Sequence, residues 1–252
     1  MSIHVVFDRT KDMTDGTSQC GDTCKEHRLS GKNDARLHDA TRRHGVWIAL
    51  GITCVLVAPH LGVPTLVYPL FGFALCTAML AMQRRRWSDV GFRWRECRPA
   101  PLLVGGALGV FYALANDIVI GPLLFRLIGT YPDFSDFDFV RAHVSGYLIA
   151  LALSWIVGGL YEELVFRGLL YDALLRYLPM RHARTPIAVT ATAVAFAAYH
   201  WQLGAFGIAN AFVFACFVAA VRYRWPDNLW YVISFHACAD MTAFTLMRLG
   251  YL

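Results

Sequence analysis

Residues 144–168 read VSGYLIALALSWIVGGLYEELVFRG. An apolar run, Val144–Leu160, leads straight into two adjacent carboxylates, Glu162 and Glu163. Arg167 follows Glu163 at i+4, the acid-first order that favours an ion pair on one helical face. Glu162 lies about 100° further round the helix and points elsewhere. Charges at the edge of a membrane-length apolar segment are costly, so they mark a functional site by default.

The rest of the composition agrees with a membrane setting. Of 252 residues, 57% are hydrophobic and 16% charged, and mean hydropathy is +0.44. That is too apolar for an ordinary soluble domain of this length. The 20 glycines and 14% aromatic residues suit packed, interface-anchored helices. The net charge of +5 comes from arginines beside apolar runs, the pattern of topology signals; no nucleic-acid-binding patch is expected. Seven dispersed cysteines argue against a disulfide framework. Cys20 and Cys24 with His27 have a spacing that reads as incidental thiols in a tail ahead of a metal site.

The expected fold is an all-α, multi-pass transmembrane bundle of about seven spans behind a polar N-terminal tail. Residues 1–44 are polar, of mixed charge, without a signal-peptide core, and read as a disordered cytoplasmic tail. The bundle occupies 45–252, with a catalytic core at about 144–249. Its spans are expected at about Gly45–Ala58, Val63–Met82, Pro101–Leu124, Phe139–Tyr161, Pro186–Trp201, Ala205–Val221 and Leu229–Leu249. The fourth helix should continue to Tyr177. Arg84–Arg86, Arg93, Arg95 and Arg98 give the strongest positive-inside signal. Trp87, Phe92 and Trp94 in that stretch suit a segment lying in the headgroup layer. Asp133, Asp136 and Asp138 mark an acidic loop on the opposite side. Threading these gives the N-terminus inside and the C-terminus outside.

Two more polar sites interrupt later apolar helices. FAAYH places His200 one turn after Phe196, and HACAD places Asp240 one turn after His236. Together with Glu162, the two imidazoles form general acid–base equipment for hydrolysis. The carboxylate takes a proton from water, one imidazole orients the water, and the other stabilises an oxyanion. Asp240 shares a face with His236 and is expected to fix its tautomer. Glu163 and Arg167 read as a structural ion pair. Taken alone, His200 or His236 reads as a buried histidine bonded to a carbonyl ahead of a catalytic one. Asn116 and Asp117 lie inside the third span and read as packing or cavity-lining groups. A zinc-bound water held by Glu162, His200 and His236 is a second chemical reading, although no H-E-x-x-H helix is present.

E-E-x-x-x-R at 162–167, F-x-x-x-H at 196–200 and H-x-x-x-D at 236–240, in this order on successive helices, resemble the CPBP family. These are the CAAX prenyl endopeptidases and the bacteriocin-processing or self-immunity (Abi-type) proteins. The match covers about Gly146–Ala243, and Arg84–Trp94 is similar to the stretch that often precedes that core. The resemblance implies an intramembrane endopeptidase acting on a membrane-associated protein or peptide, prenylated or not, within the lipid bilayer. It gives catalytic duty to Glu162, His200 and His236, support from Asp240, and structural or orienting roles to Glu163, Arg167 and Phe196. It implies a glutamate-activated water and no obligatory cofactor. Family members typically have Asn where this chain has Asp240, and an ionised carboxylate cannot donate to an oxyanion. A zinc peptidase at the same residues and a non-catalytic immunity or scaffold protein are the alternatives. A proton-coupled transporter is disfavoured because no inverted repeat is visible.

Overall fold

The computed structural model describes residues 45–62, 64, 67–131, 134–178 and 181–251. The expected tail, the Cys20–Cys24–His27 group and Asp133 lie outside them. By its contacts the chain divides after Trp47, and the unit Ile48–Leu252 holds the candidate site. Every regular element among the described residues is a helix.

Each apolar run of the sequence forms one long helix. They are α1 (Gly45–Leu61), α2 (Tyr68–Met82), α3 (Pro99–Ile128) and α4 (Val144–Tyr177), then α5 (Arg184–Tyr199), α6 (Gly204–Arg224) and α7 (Trp230–Arg248). Three of these are long and apolar enough to cross a membrane: α3, α4, and α6 with its leading turn. α1 and α2 are shorter apolar helices. Large apolar side chains face outward, including Leu70 at 73%, Leu103 at 71% and Phe111 at 70% exposure. Such exposure costs solvation in water and none in lipid.

Helix starts follow local chemistry. Proline stands in the first turn of α2 and α3, where its missing N–H costs nothing. The starts of the second and fourth spans differ from the sequence expectation, and α2 begins at Tyr68. The fourth span was expected to run from Phe139, but the chain makes a short helix, Asp138–Ala142, and then breaks at His143. His143 is extended, with φ −135° and ψ 142°, so α4 begins only at Val144.

The centre of the bundle is α7. Six consecutive residues, Val232 to Ala237, are at most 4% exposed, so this stretch is enclosed on every side. Glycines on its neighbours make that enclosure possible. A Cβ at Gly109 of α3 would collide with the Phe235 carbonyl, and one at Gly105 with Ser234 and Tyr231. On α4, Gly158 lies against His236 and Asp240, and Gly159 against Ile233 and Ala237. Small residues at these points let backbones approach where lipid supplies no hydrophobic drive.

The stretch after α2 packs back onto the bundle. Trp87 stacks on Phe73 with ring centroids 5.1 Å apart and donates its Nε1–H to Thr77. Trp230 at the start of α7 donates to the Arg93 carbonyl at 2.9 Å, and the Leu229 N–H donates to the Gly91 carbonyl at 2.9 Å. The Arg85 guanidinium forms a two-pronged ion pair with Asp172 near the end of α4.

Candidate active site

The site grows from an irregularity in α4. Its 34 residues are not a uniform α-helix: Ser154–Glu162 and Leu164–Leu170 are wound as π-helix, on either side of Glu163. Such segments recur at functional sites because they re-aim side chains within a helix. Glu162 is 7% exposed and Glu163 fully buried.

Glu163 is the hub. Its Oε1 accepts a hydrogen bond from Arg167 Nη1 at 3.0 Å and another from His236 Nδ1 at 2.7 Å. The Arg167 guanidinium rests on the Phe196 ring, 4.3 Å from its centroid. A cation on an aromatic face gains about 2 kcal/mol or more when desolvated. The chain Phe196–Arg167–Glu163–His236 therefore spans three helices without a water molecule. Since a carboxylate oxygen accepts, His236 carries a proton on Nδ1, and in the neutral imidazole Nε2 is then the acceptor.

That Nε2 faces the other two acids. It lies 3.9 Å from Glu162 Oε2 and 3.5 Å from Asp240 Oδ2. The sequence assigned tautomer control to Asp240. In the structure the short contact to Nδ1 comes from Glu163, and Asp240 sits beyond direct hydrogen-bond distance on the opposite nitrogen. Gly158 holds this arrangement close, since a Cβ there would meet both Asp240 and His236.

His200 ends α5. Its Nδ1 lies 2.8 Å from the Phe196 carbonyl, which can only accept, so His200 too leaves Nε2 as an acceptor. Among the described residues, no hydrogen bond or ion pair joins His200 to Glu162 or His236. The link is aromatic: the Phe196 ring is 4.6 Å from His200 and 5.8 Å from His236. Phe196 thus carries Arg167 and separates the two imidazoles.

Three tyrosines lie beside Glu162 that sequence reasoning did not single out. Tyr68 and Tyr161 pack ring to ring at 5.6 Å, and Tyr68 and Tyr199 interact through their hydroxyls. The signal was present: Tyr161 and Tyr199 directly precede Glu162 and His200. The Tyr161 hydroxyl, Glu163 Oε2 and Arg167 Nη2 are buried without a hydrogen-bond partner among the described residues. Orphaned buried polar atoms are rare in folded proteins and point to a missing water or ligand.

The zinc reading fares differently. Among the described residues, no group of three or more His, Cys, Asp or Glu side chains is arranged to hold a metal ion. An Nδ1–H bonded to an oxygen, as in both histidines, would suit a metal on Nε2, but no hydrogen bond or ion pair joins His200 to Glu162 or His236 among the described residues. As placed here, the three do not form a zinc ligand set. Asn116 and Asp117 fall in a π-helical turn of α3, Asn116–Ile120, with Asn116 Oδ1 3.5 Å from the Tyr112 hydroxyl.

Residues 144–242 match the family model of the type II CAAX prenyl endopeptidases, Rce1-like. Over these residues the helical core is similar to the Rce1-like family. Comparisons with curated proteins and with solved structures found no match. The matched residues run from the start of α4 to the middle of α7 and include Glu162, Glu163, Arg167, Phe196, His200, His236 and Asp240. The Rce1-like family is a protease family, and the match supports a peptidase reading of this core.

Proposed function

We propose that this protein is an intramembrane endopeptidase that cleaves a peptide bond in a membrane-associated protein or peptide, using water activated by Glu162. The observation that carries the reading is the pair Glu162 Oε2 and His236 Nε2, 3.9 Å apart and buried among helices. One water placed between them reaches both at about 2.8 Å. Neither group contributes to folding what an apolar residue of the same size would, and burying both costs several kcal/mol.

In this mechanism the water gives one proton to Glu162 while His236 Nε2 accepts its other hydrogen and orients its lone pair. The hydroxide oxygen bonds to the scissile carbonyl carbon, and the carbonyl electrons move to oxygen. Collapse of that adduct breaks the C–N bond, and Glu162 returns its proton to the leaving amine. Glu163, braced by Arg167, keeps Nδ1–H of His236 in place throughout. His200 is assigned to the far side of the Phe196 ring, where its Nε2 positions substrate. A lipid-modified C-terminal segment is the first substrate to try, because the Rce1-like core is shared with CAAX prenyl endopeptidases.

The test is proteolysis of a membrane-anchored peptide library by purified protein, with and without chelator, beside Glu162→Gln. Cleavage by the native chain that survives chelation and is lost in the variant is the expected outcome. Full cleavage by Glu162→Gln would remove the proposed base.

A further inference from the structure

Between α2, the segment that follows it and α4 lies a cavity of about 820 Å³, within the range of small-molecule sites. It is not part of the Glu162 site, but Leu160 and Leu164, two residues to either side of Glu162, form its inner wall. Its apolar walls continue with Phe73 and Trp94, which are 42% and 70% exposed. Its rim holds three arginines, Arg86, Arg93 and Arg95, and no aspartate or glutamate lines it. Arg85, their neighbour, points away and is committed to Asp172. Arg86 and Arg93 form no ion pair among the described residues, and Arg95 has only a 3.8 Å contact with Glu96.

The geometry points to a binding site for one anionic phospholipid, its phosphate on Arg86, Arg93 and Arg95 and its acyl chain along Phe73, Trp94 and Leu160. The occupant has to be amphiphilic. A free anion would satisfy the arginines and leave the aromatic and leucine walls bare. A neutral lipid would fill the walls and leave Arg86 and Arg93 without an ion-pair partner among the described residues. Basic residues beside a bilayer favour anionic headgroups, and guanidinium binds phosphate through paired N–H donors. The indole and phenyl rings supply the interfacial, amphipathic surface on which the upper acyl chain and glycerol lie.

The experiment is lipid titration of the purified full chain in detergent, read by native mass spectrometry with phosphatidylglycerol against phosphatidylcholine of identical chains. The native protein should retain one phosphatidylglycerol with a preference of roughly a hundredfold, and each arginine changed to Gln should cut it roughly fivefold. Arg93→Gln alone and the triple Arg86→Gln, Arg93→Gln, Arg95→Gln variant give the series. Arg98→Gln, outside the cavity, should leave the preference unchanged. Trp94→Ala should weaken both lipids alike. Equal retention of the two lipids, or a preference that survives the triple variant, overturns the assignment. So does displacement by millimolar inorganic phosphate, which would make it a free-anion site, or by a soluble substrate peptide, which would assign the cavity to the substrate. None of these readings uses cleavage, so they stand apart from the proposed protease activity.

Discussion

At Glu163 one carboxylate oxygen serves two partners on two helices, and this separates it from its neighbour Glu162. Glu163→Gln should orphan Arg167 and loosen His236 together. Removing one member of a buried charge pair costs about 3–5 kcal/mol, so the variant should unfold early on heating in detergent. Glu162→Gln breaks no such close pair: among the described residues its one ion-pair contact is His236 at 3.9 Å. It should fold normally and lose roughly 10²–10⁴-fold in turnover, the worth of a general base. Thermal midpoints and single-turnover cleavage on both variants check this; a Glu162→Gln protein that is unstable yet fully active would reverse the two roles. Asp240→Asn is milder. Asp240 Oδ2 is 3.5 Å from Nε2, and the tautomer is held from the other side by Glu163. The expected loss in turnover is about tenfold or less, as for a supporting partner. A loss as deep as that of Glu162→Gln would give Asp240 a direct part in the chemistry.

At the scale of elements, the site exists because α4 and α7 approach closely, and glycines set that distance. The charged and imidazole residues were legible in the sequence because each interrupts an apolar helix. Which acid would hold His236 was not legible. Spacing put Asp240 on the same face as His236, whereas Glu163 comes from another helix, over a gap that Gly158 and Gly159 close. The π-helical winding around Glu163 leaves no trace in hydrophobic periodicity, because its neighbours are apolar on every face. The role of Phe196 was hidden for the same reason: a phenylalanine in an apolar helix reads as core, and only the fold puts Arg167 on its ring. Three substitutions separate packing from chemistry. Gly109→Val puts a branched side chain against the Phe235 carbonyl and should cost about 1–3 kcal/mol through overpacking. Phe111→Leu, at a 70% exposed position of the same helix, should cost far less. Gly158→Ala pushes on Asp240 and His236, so its loss of turnover should exceed what its loss of stability explains. Equal midpoints for Gly109→Val and Phe111→Leu would show that α3 can shift away from α7 freely.

Across the whole bundle, seven helices were legible from seven apolar runs, because lipid-facing and core-facing residues are both apolar and leave an unbroken signal. Orientation is a separate matter, and here the fold sharpens the argument from charge. The ends of several helices gather through specific contacts. Arg85, just past α2, pairs with Asp172 near the end of α4. Leu229 and Trp230, at the start of α7, bond to Gly91 and Arg93. Arg222, near the end of α6, donates to the Val90 carbonyl at 3.4 Å. At the opposite end, Arg248 of α7 donates to the Arg141 carbonyl, and Tyr147 of α4 meets Thr245 of α7 at 3.0 Å. The first end therefore collects Arg84–Arg86, Arg93, Arg95, Arg98, Arg222 and Arg224, while the second is close to Asp136 and Asp138. Arginine in short loops is retained on the cytoplasmic side, so the first end should face the cytoplasm. Reporter fusions after Arg86, Asp136 and Arg184 should then read inside, outside and inside, with the N-terminus on the side of Arg86. A fusion after Asp136 that reads with Arg86 would mean that α3 does not cross, and the alternation would fail there.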